Sequence, residues 1–186
     1  MAARADVILR DAEPRDLPAI TAIYGHHVRT GLASFETEAP DTAEMQGRYE
    51  AIREKGFPYL VAEEDGAVVG YAYASLYRTR PAYRFTLEDS VYVKPGCAGR
   101  GLGRMLLERL IAECERIGCR QLIAVIGDSG NVASVRLHEA CGFGMTGTFR
   151  SIGFKHGRWV DTVLMQRTIG PGDSTPPQGE AGREAR

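Results

Sequence analysis

Glu88-Asp89-Ser90-Val91-Tyr92-Val93, then Pro95-Gly96, then Gly99-Arg100-Gly101-Leu102-Gly103-Arg104-Met105-Leu106-Leu107: this stretch decides the fold. The first six residues have the β-branched and aromatic side chains of a strand, the Pro-Gly pair turns the chain, and the glycine run opens an apolar helix. Strand, glycine loop and helix together make an anion site. The first turn of a helix presents unpaired N–H groups and the positive end of the helix dipole, and glycines let a phosphate approach that backbone without meeting a Cβ. A Walker loop needs a Lys-Ser/Thr pair after its last glycine, where Arg104-Met105 stands. A dinucleotide fingerprint needs another glycine spacing and an acidic residue about 20 positions on, and neither Glu115 nor Arg120 serves. The bland alternative is a plain strand-to-helix turn.

Composition sets the outer bounds. The 186 residues suit one domain, and 44% hydrophobic residues are enough to fill a core. A formal net charge of −1 argues against a nucleic-acid binder held by phosphate neutralisation. Cys97, Cys114, Cys119 and Cys141 form no CxxC pair and show no metal-ligand spacing. A reduced, cytoplasmic protein without a metal is expected rather than a disulfide scaffold. The N-terminus has no apolar signal core, and no segment is long enough to cross a membrane.

From the N-terminus, Val7-Ile8-Leu9-Arg10 reads as a strand. Asp16 and Pro18 start a helix with Leu17, Ile20, Tyr24 and Val28 on one face, closed by Gly31. Asp41 and Glu44 make a capping box for a second helix that ends near Lys55-Gly56. Tyr59 to Glu63 and Val68 to Tyr77 form a hairpin around Glu64-Asp65-Gly66, and Phe85 to Val93 returns as the next strand. Met105, Leu106, Leu110, Ile111 and Cys114 give a helical stripe that stops at Gly118. The run Gln121 to Ile126 reads as a strand buried on both faces. Asn131 to Cys141 is a short helix, and Thr146 to Phe154 pairs with Trp159 to Thr168. From Gly170 onward the composition is glycine, proline and charge, which reads as flexible.

That order is similar to the fold of the GCN5-related N-acetyltransferases (GNAT), and the glycine loop with its strand resembles their acetyl-coenzyme A pyrophosphate loop. Four runs narrow the resemblance to the phosphinothricin and methionine sulfoximine acetyltransferases. They are Glu88 to Val93, Ala124-Val125-Ile126-Gly127, Ser134-Val135-Arg136-Leu137-His138-Glu139, and Gly153 to Gly157 followed by Trp159 and Asp161. The likeness spans residues 7 to 168. It implies an α/β (α+β) GNAT fold, a mixed, mostly antiparallel sheet of about seven strands flanked by about four helices. That domain would occupy residues 1–169, with a tail over 170–186. It further implies acetyl-CoA as the acetyl donor, a small amino-acid-like acceptor and a homodimer, with Lys155 and His156 near the dimer contact.

Acetyl transfer from a thioester to an amine needs a neutral amine, a polarised carbonyl and a proton for the departing thiolate. Glu88 matches the family's general base; its alternative, which the residues without that resemblance favour, is a surface glutamate beside Asp89, whose side chain points to the other sheet face. His138 occupies a helix position where many relatives carry a proton-donating tyrosine, and its alternative is a packed histidine. Its spacing from Gly127 is one residue longer than in the phosphinothricin enzymes. The resemblance implies that backbone groups of Val91, Tyr92 and Val93 hold pantetheine and that Gly99, Arg100, Gly101, Leu102, Gly103 and Arg104 cradle pyrophosphate. Asn131 and Ser134 would contact the cofactor arm. Ala98 departs from the glutamine or arginine usual at the loop's first position.

On the acceptor side, Arg78 and Arg80 can grip a carboxylate and a second oxygen-rich group, with Tyr83 and Tyr92 adding hydroxyls and Phe35 lying near the site. A solvated basic loop is the alternative for the arginines, and a core anchor is that for Phe35. The function expected first is N-acetylation of an analogue such as phosphinothricin, methionine sulfoximine or methionine sulfone. Acetylation of a polyamine or protein N-terminus, or an acetyl-CoA-binding sensor without turnover, are the competing readings; a basic substrate loop counts against cationic acceptors.

Overall fold

The computed structural model describes residues 6–178. The chain runs β1 (Val7–Asp11), α1 (Leu17–Thr30), α2 (Thr42–Glu54), β2 (Tyr59–Glu64), β3 (Ala67–Leu76), β4 (Thr86–Val93), α3 (Leu102–Arg116), β5 (Gln121–Gly127), α4 (Val132–Ala140), β6 (Gly144–Lys155) and β7 (Arg158–Thr168). The strands form one seven-stranded sheet in the order β1-β2-β3-β4-β5-β7-β6. Every neighbouring pair is antiparallel except β4 and β5, which run parallel because α3 carries the chain across between them. The mixed, mostly antiparallel sheet expected from the sequence is the one observed.

Local sequence sets the ends of the elements. The Asp41 carboxylate accepts the Glu44 N–H at 2.8 Å, which is half of the expected capping box. The other half is missing, because Glu44 pairs with Arg48 one turn on instead of reaching back. The β2–β3 and β6–β7 hairpins end alike: Asp65 and Gly66 have φ of 50° and 77°, and His156 and Gly157 have 50° and 74°. A two-residue primed turn needs that pair of positive values.

Alternation along each strand divides the molecule into two cores. Leu60, Ala72, Leu87, Leu122 and Met165 pack against Leu106, Leu107, Leu110 and Cys114 of α3. On the opposite face, Tyr59, Val61 and Tyr71 pack against Leu17, Ile20, Tyr24 and Val28 of α1 and Met45 of α2. The tyrosines stack on one another, Tyr59 on Tyr73 at 5.0 Å and Tyr71 on Tyr92 at 5.2 Å between centroids.

The apolar run over Gln121–Ile126, expected to be buried on both faces, is covered on one. Leu122, Ala124 and Ile126 belong to the α3 core, whereas Val125 is 38% exposed. The reason is placement: α1 and α2 lie over β2, β3 and β4 and leave that face of β5 open. Past β7, Ile169 is buried and Arg120 Nη1 donates to the Gly172 carbonyl at 3.0 Å, so the first turns of the tail are tied to the domain. Residues 179–186 of the expected flexible tail lie outside the described residues. Among the described residues no helix is long and apolar enough to cross a membrane.

Candidate active site

β4 and β5 pair from Thr86–Asp89 to Gln121–Ala124 and then part. Ser90–Val93 and Val125–Gly127 diverge, and the gap between them is a small cavity of about 60 Å³. Asp89 to Tyr92 form one wall and Ala124 to Gly127 the other, while Asn131, Ser134 and His138 of α4 close the end. Lys94 N–H bonds back to the Val69 carbonyl of β3 at 2.9 Å. Antiparallel alternation therefore turns the N–H and C=O groups of Val91 and Val93 toward the gap. The Val93 carbonyl accepts from His27 Nε2 of α1 at 2.9 Å, so a ligand strand lying in the gap would use the other groups.

Glu88 lies on the tyrosine face of β4, opposite Ser75 of β3 and Ile123 of β5. Burial, followed by the charge of Asp89, pushes its carboxyl up to about 7, with Arg78 acting the other way. A carboxyl of that value accepts and releases a proton near neutral pH, as a general base must. Asp89 faces the other way and is buried, with Oδ2 at 2.9 Å from His138 Nε2. The Ser134 carbonyl lies 2.7 Å from His138 Nδ1, and the Phe143 ring meets the imidazole edge-on at 5.1 Å. Asn131 caps α4, its Oδ1 accepting the Ser134 N–H at 3.2 Å, which leaves its amide NH₂ for other use.

The glycine loop has the features of an anion cradle. Gly96, Gly99 and Gly101 have φ of 82°, 76° and 85°, and a Cβ built on any of them would meet nothing within 4 Å. The first ladder bond of α3 is Met105 N–H to the Gly101 carbonyl at 3.0 Å. The N–H groups of Leu102, Gly103 and Arg104 thus stand ahead of the helical ladder, free of intrahelical partners by geometry. Gly103 has a second task, because a Cβ there would come within 3.3 Å of Leu137 on α4. Arg100 pairs with Glu64 across the β2–β3 hairpin and Arg104 with Glu108 at 2.7 Å. Exposed pairs of this kind are worth little and yield readily to a diphosphate. Among the described residues no group of three or more His, Cys, Asp or Glu side chains is placed to hold a metal ion.

On the acceptor side, Arg78, Arg80 and Tyr83 are exposed on the loop before β4. The Arg78 guanidinium lies 5.1 Å over the Tyr77 ring, whose other contact is Tyr83, edge-on at 5.9 Å. Arg80 starts the single turn Pro81–Tyr83, its carbonyl accepting the Tyr83 N–H at 2.9 Å. Arg78 is close enough for its charge to act on Glu88, so the structure joins these two, whereas Arg80 lies exposed on the same loop. Tyr92 is wedged between Tyr24 and Tyr71, and the same alternation turns its N–H and C=O toward β3 and away from the gap, so the backbone contact to pantetheine expected of it is not available; its hydroxyl is held well above its ordinary value by burial. Phe35 is 40% exposed and lies close against Gly153 of β6, where a Cβ would come within 2.4 Å of the ring. It is therefore not a core anchor for α1.

Sequence reasoning missed three groups. Asp89 could have been found: it sits on a strand face otherwise filled by Leu87, Val91 and Val93, and a carboxylate among such residues needs a partner. His27 and Lys155 left no local signal. Lys155, expected at a dimer contact with His156, is buried and donates from Nζ to the Ser34 carbonyl at 2.6 Å. With Tyr24, whose hydroxyl reaches Ser34 Oγ at 2.9 Å and Glu36 at 2.8 Å, it fixes the loop after α1 over the end of β5. Gly127 lets that loop in, since a Cβ there would stand 2.2 Å from the Leu32 carbonyl oxygen.

Against known proteins, residues 20–143 match the model of a family described as the Acetyltransferase (GNAT) family. The chain is 59% identical over 176 residues to the phosphinothricin N-acetyltransferase of Alcaligenes faecalis, covering 95% of this chain and 89% of that protein. It is 44% identical over 158 residues to the L-methionine sulfoximine/L-methionine sulfone acetyltransferase of Salmonella typhimurium, covering 85% and 92%. Its fold superposes with a TM-score of 0.91 on the crystal structure of a GNAT superfamily phosphinothricin acetyltransferase from Sinorhizobium meliloti in complex with AcCoA. That pair is 46% identical, with 96% of this chain and 99% of that one covered.

Proposed function

The chain belongs to the GNAT family of acetyltransferases, and on that footing we propose that it transfers the acetyl group of acetyl-CoA directly to the amino group of a small amino-acid analogue of the phosphinothricin, methionine sulfoximine or methionine sulfone type. The observation that carries this reading is Glu88, a half-buried carboxyl pushed up to about 7 on the strand where the parallel pairing ends. At neutral pH such a group is part ionised and takes a proton from the acceptor ammonium, which leaves a neutral nitrogen to attack the thioester. The N-terminus of α3 with its positive-φ glycines receives the diphosphate, and the backbone of Val91 and Val93 receives the pantetheine arm in the manner of an added strand. His138 supplies the proton that the departing thiolate takes.

Arg78 and Arg80 receive the acceptor's carboxylate and second polar head. This reading is supported by the influence of Arg78 on Glu88 and by the acceptors named for the two curated relatives. The buried free thiols Cys114, Cys119 and Cys141 support a reducing, cytoplasmic setting. Two copies pair through the β6–β7 hairpin, where Met145, Phe149, Ile152, Phe154 and Trp159 are each at least half exposed; sedimentation equilibrium giving a monomer would end that part of the reading.

An acceptor screen with acetyl-CoA and a thiol readout tests the whole. Phosphinothricin, methionine sulfoximine and methionine sulfone should release coenzyme A, and a decarboxylated counterpart should do so poorly. Turnover of spermidine or a peptide, with all three analogues untouched, would leave the family and overturn the acceptor class.

A further inference from the structure

Both ring nitrogens of His138 face oxygen acceptors, the Asp89 carboxylate at 2.9 Å from Nε2 and the Ser134 carbonyl at 2.7 Å from Nδ1. A carbonyl oxygen only accepts, so Nδ1 carries a proton; an ionised carboxylate only accepts, so Nε2 carries the other. A ring held this way is an imidazolium. Burial opposes that charge, but the bond to Asp89, its charge and the Ser134 carbonyl prevail, and the imidazole is shifted above its ordinary value. His138 is 5% exposed and Asp89 6%. An ion pair this far from water brings no automatic gain in stability, and an apolar pair would fill the same place. The second carboxylate oxygen, Oδ1, is also buried and without a hydrogen-bond partner among the described residues, so the Asp89 charge is directed at His138.

We propose that Asp89 is a positioning residue for acetyl transfer: it fixes the His138 ring and keeps it doubly protonated on the wall of the gap, ready to protonate the coenzyme A thiolate. The inference rests on the reading of that gap as the acetyl-transfer site. As the acceptor nitrogen bonds to the acetyl carbon, the C–S bond breaks and its electron pair leaves on sulfur. Glu88, having passed the ammonium proton on to water, takes the second proton that the nitrogen loses as it becomes an amide, and sulfur takes the Nδ1 proton of His138, directly or through the Ser134 hydroxyl, whose Oγ is 3.5 Å from Nδ1. The Nε2 proton stays on the bond to Asp89 and holds the ring, while the bare Nδ1 faces the Ser134 carbonyl until it is reprotonated. Water then removes the proton from Glu88 and restores the one lost by His138, and the sum is amine plus acetyl-CoA giving amide plus coenzyme A.

The titratable groups that feel Asp89 are His138 on α4, Glu88 on its own strand, Cys114 on α3 and Cys141 just past α4. Burial first, and neighbouring charge after it, holds both thiols above their ordinary value, so they stay neutral while His138 titrates.

Nitrogen-15 NMR of the imidazole in the wild-type protein tests the first half without any variant. Two protonated ring nitrogens on His138 are expected at neutral pH, and a neutral ring there overturns the proposal. Asp89→Asn keeps the shape and removes the charge. It should lower the His138 titration by about one pH unit and take the alkaline limb of kcat down with it, a loss of about ten-fold per unit above that limb. The KM for acetyl-CoA should stay within about two-fold, which a general disruption of packing would not allow. The acidic limb shifts down too, since Asp89 raises Glu88. If the NMR titration moves and the alkaline limb does not, His138 is not the proton source and the proposal falls. Failure of the underlying reading shows elsewhere, as full activity of Glu88→Gln at neutral pH.

Discussion

Glu88 and Asp89 are chain neighbours on β4 that point to opposite faces of the sheet, and each face treats its carboxyl differently. Glu88 looks onto the side built from Tyr59, Tyr71, Tyr73 and Tyr92, where the charge of Arg78 acts to ionise it but burial prevails, and it is pushed up to about 7. Asp89 looks onto the aliphatic side under α3 and is bonded to an imidazole at 2.9 Å. A face that is half wet and rich in hydroxyls can keep a lone carboxyl and let it titrate, whereas an aliphatic face keeps a charge only as one member of a pair. One strand therefore carries a carboxyl that titrates near neutral pH and a carboxyl bonded to an imidazole, on opposite faces of the sheet.

The strongest way to break that contrast is Glu88→Gln, which preserves shape and removes the proposed base. With a saturating acceptor the rate at neutral pH should fall by about 10² or more, and the deficit should narrow at high pH, where free amine is plentiful. Calorimetric titration with acetyl-CoA should give an unchanged affinity. Arg80→Ala probes the outer edge of the same face: acceptor affinity should weaken by about 1.5 to 3 kcal/mol, the range of a charge-assisted bond, measured on one acceptor series with acetyl-CoA affinity constant. Equal losses for a carboxylate-bearing acceptor and its decarboxylated counterpart would remove Arg80 from recognition.

The aliphatic side is probed at the glycine loop. Gly101 has φ of 85°, so valine there forces a left-handed backbone that costs about 1 to 2 kcal/mol as well as placing a side chain on the proposed diphosphate site. Acetyl-CoA affinity should drop by about ten-fold or more, a difference calorimetry reads directly. Gly103→Ala, with φ unconstrained and only Leu137 in the way at 3.3 Å, should lose less.

The smallest effect is on stability. The Glu88 carboxyl is raised from 4.5 to about 7 in the folded chain, so between those values the folded state holds a proton that the unfolded state has released. Stability then falls as pH rises through that window, and the cost is fully present above about 7. Glu88→Gln removes the ionisation, and its Tm at pH about 8 should exceed that of the wild type by about 2 to 4 °C, the shift that about 1 kcal/mol gives at this chain length. At pH about 4 the two should coincide; a constant offset at both would detach the effect from Glu88's charge.

Much of this was legible in the sequence because it is local. The strand–glycine–helix stretch, the Asp65-Gly66 turn and the stripe of α3 are each fixed by residues within a few positions of one another, and alternation alone placed Glu88 and Asp89 on opposite faces. What escaped was joined across distance. The bond from Asp89 to His138 spans 49 positions and that from His27 to Val93 spans 66, and nothing near either residue announces its partner. Val125 escaped for another reason: an apolar strand reads the same whether a helix covers its second face or stops one strand short. Arg80 was legible as a charge in a basic loop, but the loop's own hydrogen bonds do not say what the side chain meets.

The hold of Lys155 on Ser34 joins residues 121 positions apart. During vectorial synthesis the two helices, the glycine loop and the residues flanking the gap are all made before Lys155 emerges, and domains complete as units. The Ser34 loop over the end of β5 can therefore be fastened only when nearly the whole chain has left the ribosome, long after the glycine loop and both walls of the gap have been made.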